Sequence, residues 1–316
     1  MAENEIGSSV RLVAIDAASD GQRIDNFLLR ELKGVPKSRI YNLLRRGEVR
    51  VNKGRVKAEY RLQSGDQVRI PPLRQAAPGA APVIPSSLEE RLADAVLFED
   101  DALIVIDKPA GLAVHGGSGV SLGLIEALRK LRPDARFLEL VHRLDRDTSG
   151  CIMVAKKRSA LLKLHEALRG DGVDKRYLAL VAGSWPKSRR RIEAPLEKNT
   201  LRSGERVVRV SAVGKSAATE FAIVEALGSA TLVEAAPITG RTHQIRVHAQ
   251  YAGHPLAGDE KYGERDANAR FREAGLRRLF LHAHTLAFDW EGRRLQLRAE
   301  LHPELQQFLT ILRTSL

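Results

Sequence analysis

The apolar residues near the start of the chain follow the spacing of two short helices. In "RIDNFLLREL" they recur at helical intervals, and Pro36 should end that helix. In "KSRIYNLLRRG" the apolar stripe is again helical, with Ser38 as the expected N-cap and Gly47 as the stop. "EVRVNKGRV" then predicts a tight hairpin at Asn52-Lys53-Gly54, and "SGDQVRI" predicts a closing strand.

Farther along the chain, most apolar runs are short and read as strands. Strands are predicted in "ALIVID", "FLELV", "CIMVAKK", "KRYLALVAG", "RLFLHAHTLAFDW" and "RRLQLRAEL", and a hairpin joins "TEFAIVEAL" to "ATLVEAAP". Helices are predicted in "LGLIEALRKL", "RSALLKLHEALRG", "GRTHQIRVHAQYAG" and after Pro303. Because strands outnumber helices and many are joined by apparent turns, we predict an α+β domain with a mixed, mostly antiparallel sheet and peripheral helices.

A proline-rich segment separates these two regions. Residues 71–85, "PPLRQAAPGAAPVIP", hold five of the 13 prolines and show no periodicity. Such composition is typical of an extended linker. We therefore predict an N-terminal tail at 1–20, a small α/β module at 21–72, a linker at 73–87 and a larger domain at 88–316.

Charge is concentrated in the predicted front module. The 316-residue chain carries a net charge of +12, and residues 23–74 hold 14 Lys or Arg against five Asp or Glu. The overall composition is ordinary for a globular protein, with 43% hydrophobic and 28% charged residues. A local cluster of one sign favours an anion-binding module, with nucleic acid as the first candidate. The alternative is a basic surface that serves only solubility.

Several classes of protein find no support in the sequence. No apolar run approaches the roughly 20 residues of a membrane span, and "MAENEIGSSV" lacks the features of a secretory signal. The single cysteine, Cys151, cannot form an internal disulfide, so we expect a cytoplasmic protein without membrane contact. Neither "GxxxxGK[ST]" nor "HExxH" occurs, and "GGSGVSLG" has misplaced glycines for a dinucleotide loop. We therefore expect no nucleotide cofactor and no metal.

The stretch "HRLDRDTSG", residues 142–150, places charged side chains between two apolar segments. Its Asp-Thr-Ser-Gly end suits the capping and reversal of a turn. If "FLELVHRL" is a strand, Arg143 and Asp145 point to the same side and Leu144 to the other. A guanidinium beside a carboxylate at a strand end favours a held, ionised carboxylate, which a turn alone does not explain.

A hydrolase is the alternative interpretation of this stretch. His142, Asp145 and Ser149 are the residue types of a nucleophilic triad. Ser149, however, is not in a "GxSxG" elbow, and triad residues usually come from distant segments. His282 and His284 would share one face of a strand, but nothing nearby in the sequence completes a metal site.

The front module resembles the "S-four" RNA-binding module, named after a ribosomal protein. The resemblance rests on "RIDNFL", "KSR", "GEVRVNKGRVK" and "SGDQVRI", in that order, from about Gly21 to Pro72. A DNA-binding helix-turn-helix is the alternative, but it predicts a dimer, and we find no dimerisation stripe. We therefore expect a monomer. The predicted RNA contacts are Arg23, Lys37, Ser38, Arg39, Arg45, Arg46, Arg50, Asn52 and Lys57.

The larger domain resembles the RluA family of pseudouridine synthases. The matching stretches are "EDDALIVIDKPAGLAVHGG", "HRLDRDTSG", "KRYLALVAG", "KSAATEF", "GRTHQIRVHAQYAGHPLAGDEKYG" and "LFLHAHTLAF", which span nearly all of residues 90–310. The resemblance implies the pseudouridine synthase fold. It also implies roles for four residues: Asp145 as the catalytic carboxylate, Tyr177 as the aromatic that stacks on the target base, Arg241 as the ion-pair partner of Asp145, and Arg143 as a residue that holds the flipped nucleotide. Arg241 would lie in the first turn of a helix, where the helix dipole disfavours a cation, and this independently favours a partner for it.

The resemblance implies isomerisation of uridine to pseudouridine in ribosomal RNA, with large-subunit (23S) RNA or its assembly intermediate as the expected partner. Such a reaction neither oxidises nor phosphorylates anything, which agrees with the missing cofactor motifs. Asp145 would either attack ribose carbon 1′ or remove a proton from carbon 2′, and the sequence does not choose between these roles. The alternative is a non-catalytic RNA-binding or ribosome-assembly protein. The joint presence of Asp145, Tyr177 and Arg241 favours the enzyme.

Overall fold

The computed structural model describes residues 10–32, 35, 37–73, 84–116, 122–200 and 206–314, without the side chains of Lys37, Ser38, Thr200 and Arg206. The predicted helix end at Pro36, most of the predicted linker and the centre of "GGSGVSLG" lie outside the described residues. The chain divides into two compact units between Val83 and Ile84, inside the segment that the proline content marks as a linker.

The front unit packs two helices on a small antiparallel sheet. Its elements are β1 (Arg11–Ala14), α1 (Ile24–Glu31), α2 (Lys37–Arg46), β2 (Arg50–Val51) and β3 (Gln67–Ile70), with a 3-10 turn at Ala17–Ser19. The strand order is β1-β3-β2. The predicted tail at 1–20 is therefore too long, because β1 pairs with β3 and Ile15 is buried in the core of the unit.

The apolar stripes of α1 and α2 form the core of the front unit, as their spacing predicts. Phe27, Leu28, Ile40 and Leu43 are almost fully buried there. The predicted tight turn is also present, since Asn52 and Lys53 both have positive φ and a hydrogen-bonded pair joins Val51 to Gly54. The returning strand of that hairpin is not formed, however, and β2 pairs with β3 instead.

The second unit carries a long mixed sheet with helices around it. Its strands are β4 (Val96–Glu99), β5 (Leu103–Lys108), β6 (Glu139–Leu140), β7 (Ser149–Ala155), β8 (Val173–Ala182), β9 (Arg191–Glu193), β10 (Leu196–Thr200), β11 (Arg206–Val210), β12 (Ala218–Leu227), β13 (Ala230–Pro237), β14 (Leu281–Trp290) and β15 (Arg293–Arg298). Its helices are α3 (Ser86–Asp94), α4 (Leu124–Leu131), α5 (Arg158–Arg169), α6 (Gln244–Tyr251), α7 (Arg265–Glu273) and α8 (Pro303–Thr314). Within the described residues, the main sheet runs β4-β5-β7-β14-β8-β13-β12-β9, with β15 on β14 and β6 on β7.

The predicted fold class is confirmed, because every strand pair in the main sheet except β7–β14 is antiparallel. The hairpin β12–β13 and the turn between β14 and β15 occur where the sequence predicts them. The prediction omitted α7, since "RDANARFRE" is mostly polar and buries only Ala267 and Phe271. In the described part of the chain, no helix is both long and apolar enough to span a bilayer.

Gly150 allows the parallel contact between β7 and β14. It has a φ of +106°, and it pairs with Ala283 of β14. A Cβ at this position would collide with the Ala283 backbone. The glycine is therefore needed for a close approach of two central strands, rather than only for a reversal of the chain. This contact fixes the start of β7, directly after "HRLDRDT".

Candidate active site

Asp145 lies in the loop between β6 and β7. The predicted strand is shorter than expected, because β6 ends at Leu140 and a turn closed by the Thr148 amide and the Asp145 carbonyl follows. Leu144 is buried, whereas Arg143 is exposed and Asp145 is partly buried. Arg143 and Asp145 line the same cavity, so they share a side as predicted, although not through strand alternation.

Lys108, at the end of β5, stabilises this loop through hydrogen bonds from its buried side chain. Its side chain is fully buried, and its Nζ donates to the carbonyls of Pro109, Leu112 and Arg146 at 2.9, 2.8 and 3.1 Å. Burial, followed by the charge of Arg278, lowers the pKa of Lys108 to about 7. Three acceptors nevertheless match the three N–H groups of an ammonium, so we describe Lys108 as a cation. It fixes the residue directly after Asp145.

Arg246 of α6 is the ion-pair partner of Asp145. Its Nη1 lies 3.2 Å from Oδ2 of Asp145, and its Nε and Nη2 bind both carboxylate oxygens of Asp259 at 2.7 and 2.8 Å. Burial alone would lower the pKa of Arg246, but hydrogen bonds and charge from Asp259, joined by Asp145, raise it. The pKa of Asp259, which burial would raise, is lowered by the same guanidinium. Two nitrogens of the Arg246 guanidinium are thus held by the Asp259 carboxylate, and the third nitrogen faces the Asp145 carboxylate.

Arg241 does not pair with Asp145, and this corrects the prediction. Arg241 precedes α6, which begins at Gln244, and its Nε donates to the Ser216 carbonyl at 3.1 Å. Its backbone N–H donates to the Gln244 side chain, which fixes the turn ahead of the helix. The helix-dipole argument applies instead to Arg246, which lies in the first turn and has two carboxylate partners. Arg241 still lines the cavity that contains Asp145.

His243 contacts Asp145 from a second direction. Its Nε2 lies 3.8 Å from Oδ2 of Asp145, and its Nδ1 lies 2.7 Å from the Tyr262 hydroxyl. That hydroxyl accepts the Val208 N–H at 2.9 Å, so we assign its own proton to His243 Nδ1. Nε2 then carries the ring proton and directs it toward Asp145. Burial lowers the pKa of His243, and the charge of Asp145 offsets this effect only in part. The lowered pKa agrees with a neutral imidazole ring.

The backbone of His243 is in the left-handed region, with φ of +53°. A non-glycine residue in this region is strained and is held there by its surroundings. The ring of Tyr262 packs edge-on against His243 and lies 5.0 Å from the Arg246 guanidinium. Tyr262 therefore supports both groups that face Asp145.

Tyr177 of β8, the residue predicted to stack on the target base, lines the same cavity as Asp145. The cavity has a volume of about 570 Å³ and is lined by Arg143, Asp145, Tyr177, Arg241 and Arg246, among others. Burial, followed by the charge of Asp145, raises the pKa of the Tyr177 hydroxyl. A neutral aromatic ring and a carboxylate thus share a space of the size that encloses small organic groups.

The hydrolase interpretation is wrong, because the three residues of the supposed triad do not meet. Ser149 Oγ is buried and bonds to His282 Nδ1 at 2.8 Å, while it accepts from Arg278 at 2.6 Å. His142 Nε2 accepts the Met153 N–H, and burial lowers the pKa of His142 to about 4. Ser149 is therefore part of the packing between β7 and β14, rather than a turn cap or a nucleophile.

Asp107, His282 and His302 bring their polar atoms within 4.8 Å of one another. Both nitrogens of His282 already have protein partners, Ser149 Oγ and the Ala299 carbonyl. His302 Nε2 bonds to Asp107 at 3.0 Å. The cluster is therefore a satisfied hydrogen-bond network, and it leaves no lone pair of His282 for a metal ion.

The predicted RNA contacts lie in the front unit and differ in their surroundings. Those on the exposed surface are Arg39, Arg45, Arg46, Arg50, Asn52 and Lys57. Arg23 forms a two-point ion pair with Asp25, and both ends of the Asn52 amide bond within the unit, to Asp66 and the Gln67 N–H. Asn52 therefore has a structural role that the sequence did not indicate. The side chains of Lys37 and Ser38 lie outside the described residues.

Sequence reasoning missed Arg246, Asp259, His243, Tyr262 and Lys108. All five lie in stretches that carry the family resemblance. Which arginine of "GRTHQIRVH" faces Asp145 depends on where α6 begins, and the helical pattern allowed a start several residues too early. Asp259 is fully buried next to an arginine, which no local pattern in the sequence reveals.

Comparison with known proteins gives the same assignment for both units. A family model described as RNA pseudouridylate synthase matches residues 102–251, and an S4 domain model matches residues 22–68. A Haemophilus influenzae protein named ribosomal large subunit pseudouridine synthase C is 57% identical over 99% of this chain and 98% of its own length. The Escherichia coli K12 protein of the same name is 59% identical over 92% of each chain.

A solved structure supports the fold assignment. Human RNA pseudouridylate synthase domain containing 4 is 28% identical to this chain, with a TM-score of 0.61 over 72% of this chain and 96% of its own. A sequence identity above 50% along nearly the whole chain indicates membership of the same family, and not only the same fold. The chain belongs to the RluA family of pseudouridine synthases, and its front unit contains an S4 RNA-binding domain.

Proposed function

We propose that this enzyme converts uridine to pseudouridine at specific positions of large-subunit ribosomal RNA, with Asp145 as the catalytic carboxylate. The substrate class is supported by the names of the relatives, which act on the large ribosomal subunit according to those names. One observation carries the choice of residue. Asp145 is the carboxylate that faces both a fixed guanidinium, 3.2 Å away, and the aromatic cavity of Tyr177.

The reaction requires the bond from uracil nitrogen 1 to ribose carbon 1′ to break and a bond from carbon 5 to carbon 1′ to form. Carbon 5 then loses a proton and nitrogen 1 gains one, so the sum is an isomerisation. Asp145 assists at the sugar, through carbon 1′ or through the proton on carbon 2′, and both routes need the carboxylate in its negative form. Arg246 provides a fixed positive charge beside this carboxylate, because Asp259 holds the guanidinium in place before the substrate binds.

The target base has to leave its stack to reach Asp145. Unstacking costs a few kcal/mol, and stacking on an aromatic ring returns about 1–3 kcal/mol per base. Tyr177 is the aromatic side chain in the cavity with Asp145, and Arg143 at the rim would hold the flipped nucleotide. The exposed cations Arg39, Arg45, Arg46, Arg50 and Lys57 of the front unit would contact phosphates and add affinity.

The deciding experiment compares the wild type with Asp145→Asn on ribosomal RNA tritiated at uridine carbon 5. We expect tritium release by the wild type and none by the variant, although the variant still binds the RNA. Release by both proteins, or by neither, would overturn the proposal. RNA binding without release by the wild type would instead indicate a non-catalytic assembly protein. Carbodiimide mapping of RNA from a deletion strain then locates the modified uridines.

A further inference from the structure

Asp145 also lines a second cavity, which Tyr177 does not line. It has a volume of about 990 Å³, and Arg143, Asp145, His243 and Arg246 line both cavities. Tyr177 and Arg241 line only the first cavity, whereas residues of α3, α7 and the loop before β14 line only the second. The catalytic carboxylate therefore lies where two differently lined spaces meet.

The lining of the second cavity is basic. Eight Lys or Arg side chains face five Asp or Glu side chains there. Four of the carboxylates are already engaged: Asp145 and Asp259 pair with Arg246, Asp147 pairs with Arg146, and Glu304 pairs with Arg278. With eight cations against five carboxylates, the lining keeps an excess of three positive charges, so the wall of this cavity is basic.

Three arginines on that wall have no partner in the part of the chain that the structure describes. The side chains of Arg91, Arg272 and Arg277 make no hydrogen bond and no ion pair there, and all three are exposed. They come from three separate elements, namely α3, α7 and the turn after α7. Three positively charged side chains that line one cavity repel each other. A bound anion would offset this repulsion, so the arrangement favours anion binding.

We propose that the second cavity holds the phosphodiester backbone of the RNA next to the flipped uridine, and that Arg91, Arg272 and Arg277 contact its phosphates. This inference rests on the proposed function. The first cavity offers a ring and a carboxylate for one base and sugar, whereas the second offers separated guanidinium groups for a chain of negative charges. A strand whose nucleotide enters the first cavity has to continue past Asp145, and the second cavity adjoins Asp145.

The test uses the full-length protein in an Asp145→Asn background and a 23S RNA transcript, with binding measured as a function of salt. We expect Arg91→Gln/Arg272→Gln/Arg277→Gln to weaken binding at least 10-fold and to reduce the magnitude of the salt slope by about 2 to 3, since each phosphate contact contributes about 0.7 to 0.9. The matched control is Arg190→Gln/Arg293→Gln/Arg298→Gln, which changes three exposed arginines that line neither cavity. It removes the same charge and should keep the slope of the Asp145→Asn parent protein to within about 1.

Equal slopes for the two triple variants would overturn the proposal, because the loss would then reflect net charge alone. Competition with polyglutamate distinguishes another occupant: if polyglutamate displaces RNA from the parent protein but not from the cavity variant, the cavity accepts an acidic polypeptide and the proposal is wrong. We expect single-stranded RNA to compete and polyglutamate not to compete. Tritium release by the wild type is measured separately, so a failure of the proposed reaction does not affect the binding result.

Discussion

The guanidinium of Arg246 binds Asp259 with two nitrogens and Asp145 with the third. The Asp145 contact is 3.2 Å long, while those to Asp259 are 2.7 and 2.8 Å. Asp259 has no exposed side-chain surface, whereas Asp145 retains some exposure to the cavities. Asp259 therefore fixes the arginine, and Asp145 is the partner that remains accessible from the cavities.

This geometry predicts that Arg246 matters more than Arg241. Arg246→Gln should lower the single-turnover rate at least 100-fold, because it removes a fixed charge beside Asp145, the proposed catalytic carboxylate. Arg241→Gln, the matched control, should weaken RNA binding and leave the rate at saturating RNA within a few-fold of the wild type. Circular dichroism should accompany both measurements, because loss of Arg246 leaves Asp259 buried without its partner, at a cost of about 3–5 kcal/mol. A larger rate loss in the Arg241 variant would contradict the assigned pair.

Tyr262→Phe tests the link from Tyr262 through His243 to Asp145. The ring keeps its contact with Arg246, but His243 Nδ1 loses its hydroxyl partner and is free to take the other tautomer. We expect about a 10-fold lower single-turnover rate, together with about 1–3 kcal/mol of lost stability because the Val208 N–H loses its acceptor. Rate measurements from pH 6 to 9 check the link, because a changed tautomer should alter the pH profile. A destabilised variant with the wild-type rate and profile would limit Tyr262 to packing.

Tyr177 should act through its ring. Tyr177→Phe keeps the stacking surface and should retain affinity for RNA to within a few-fold, whereas Tyr177→Leu should lose about 10-fold or more, the equivalent of 1–3 kcal/mol of base stacking. Both variants keep an apolar side chain against the neighbouring core clusters. Binding by the two variants in the Asp145→Asn background measures the difference. If Phe and Leu lose affinity equally, the hydroxyl rather than the ring makes the contact.

Local patterns in the sequence predicted the parts of the fold that repeat at regular spacing. The predicted apolar stripes of α1 and α2 and the predicted hairpin β12–β13 are present in the structure. They could be predicted because the burial of one face of an element follows from the periodicity of its apolar residues. The parallel contact of β7 with β14 is not local, and it joins Gly150 to Ala283 across more than a hundred residues. Long-range pairing of this kind leaves no periodic trace.

The candidate site also combines features that the sequence indicates with features that depend on long-range contacts. The resemblance assigned roles to Asp145, Tyr177 and Arg143, which remain predictions, and the structure brings these three residues to one cavity. Arg241 was wrongly paired, because a shift of the start of α6 from Gly240 to Gln244 changes which arginine faces inward. Ser149, which suited a turn cap by its type, instead bonds to His282 and Arg278, two residues that are distant in the sequence.

His282 should make the second unit less stable in mild acid. Burial lowers its pKa from 6.5 to about 4, and its hydrogen bonds to Ser149 and Ala299 fix the neutral ring. Between these two values the unfolded chain binds a proton that the folded protein excludes, so this contribution is complete above pH 6.5 and is lost as the pH falls toward 4. His282→Gln keeps one donor and one acceptor but does not titrate. The free energy of unfolding in urea should fall between pH 7 and pH 5 in both proteins. The fall should be about 2 kcal/mol smaller in the variant than in the wild type. An identical drop in both proteins would show that His282 does not contribute.

Removal of the front unit should weaken binding without abolishing the chemistry. A chain of residues 84–316 retains every residue that lines the two cavities, since the unit boundary precedes them. If about six cations of the front unit contact phosphates, the magnitude of the salt slope should fall by about 4 to 5. The measurements are RNA binding across a salt series and tritium release at saturating RNA, each compared with the full-length protein. Because both cavities remain, release should persist at saturation. An unchanged salt slope would mean that the exposed cations of the front unit do not contact the RNA.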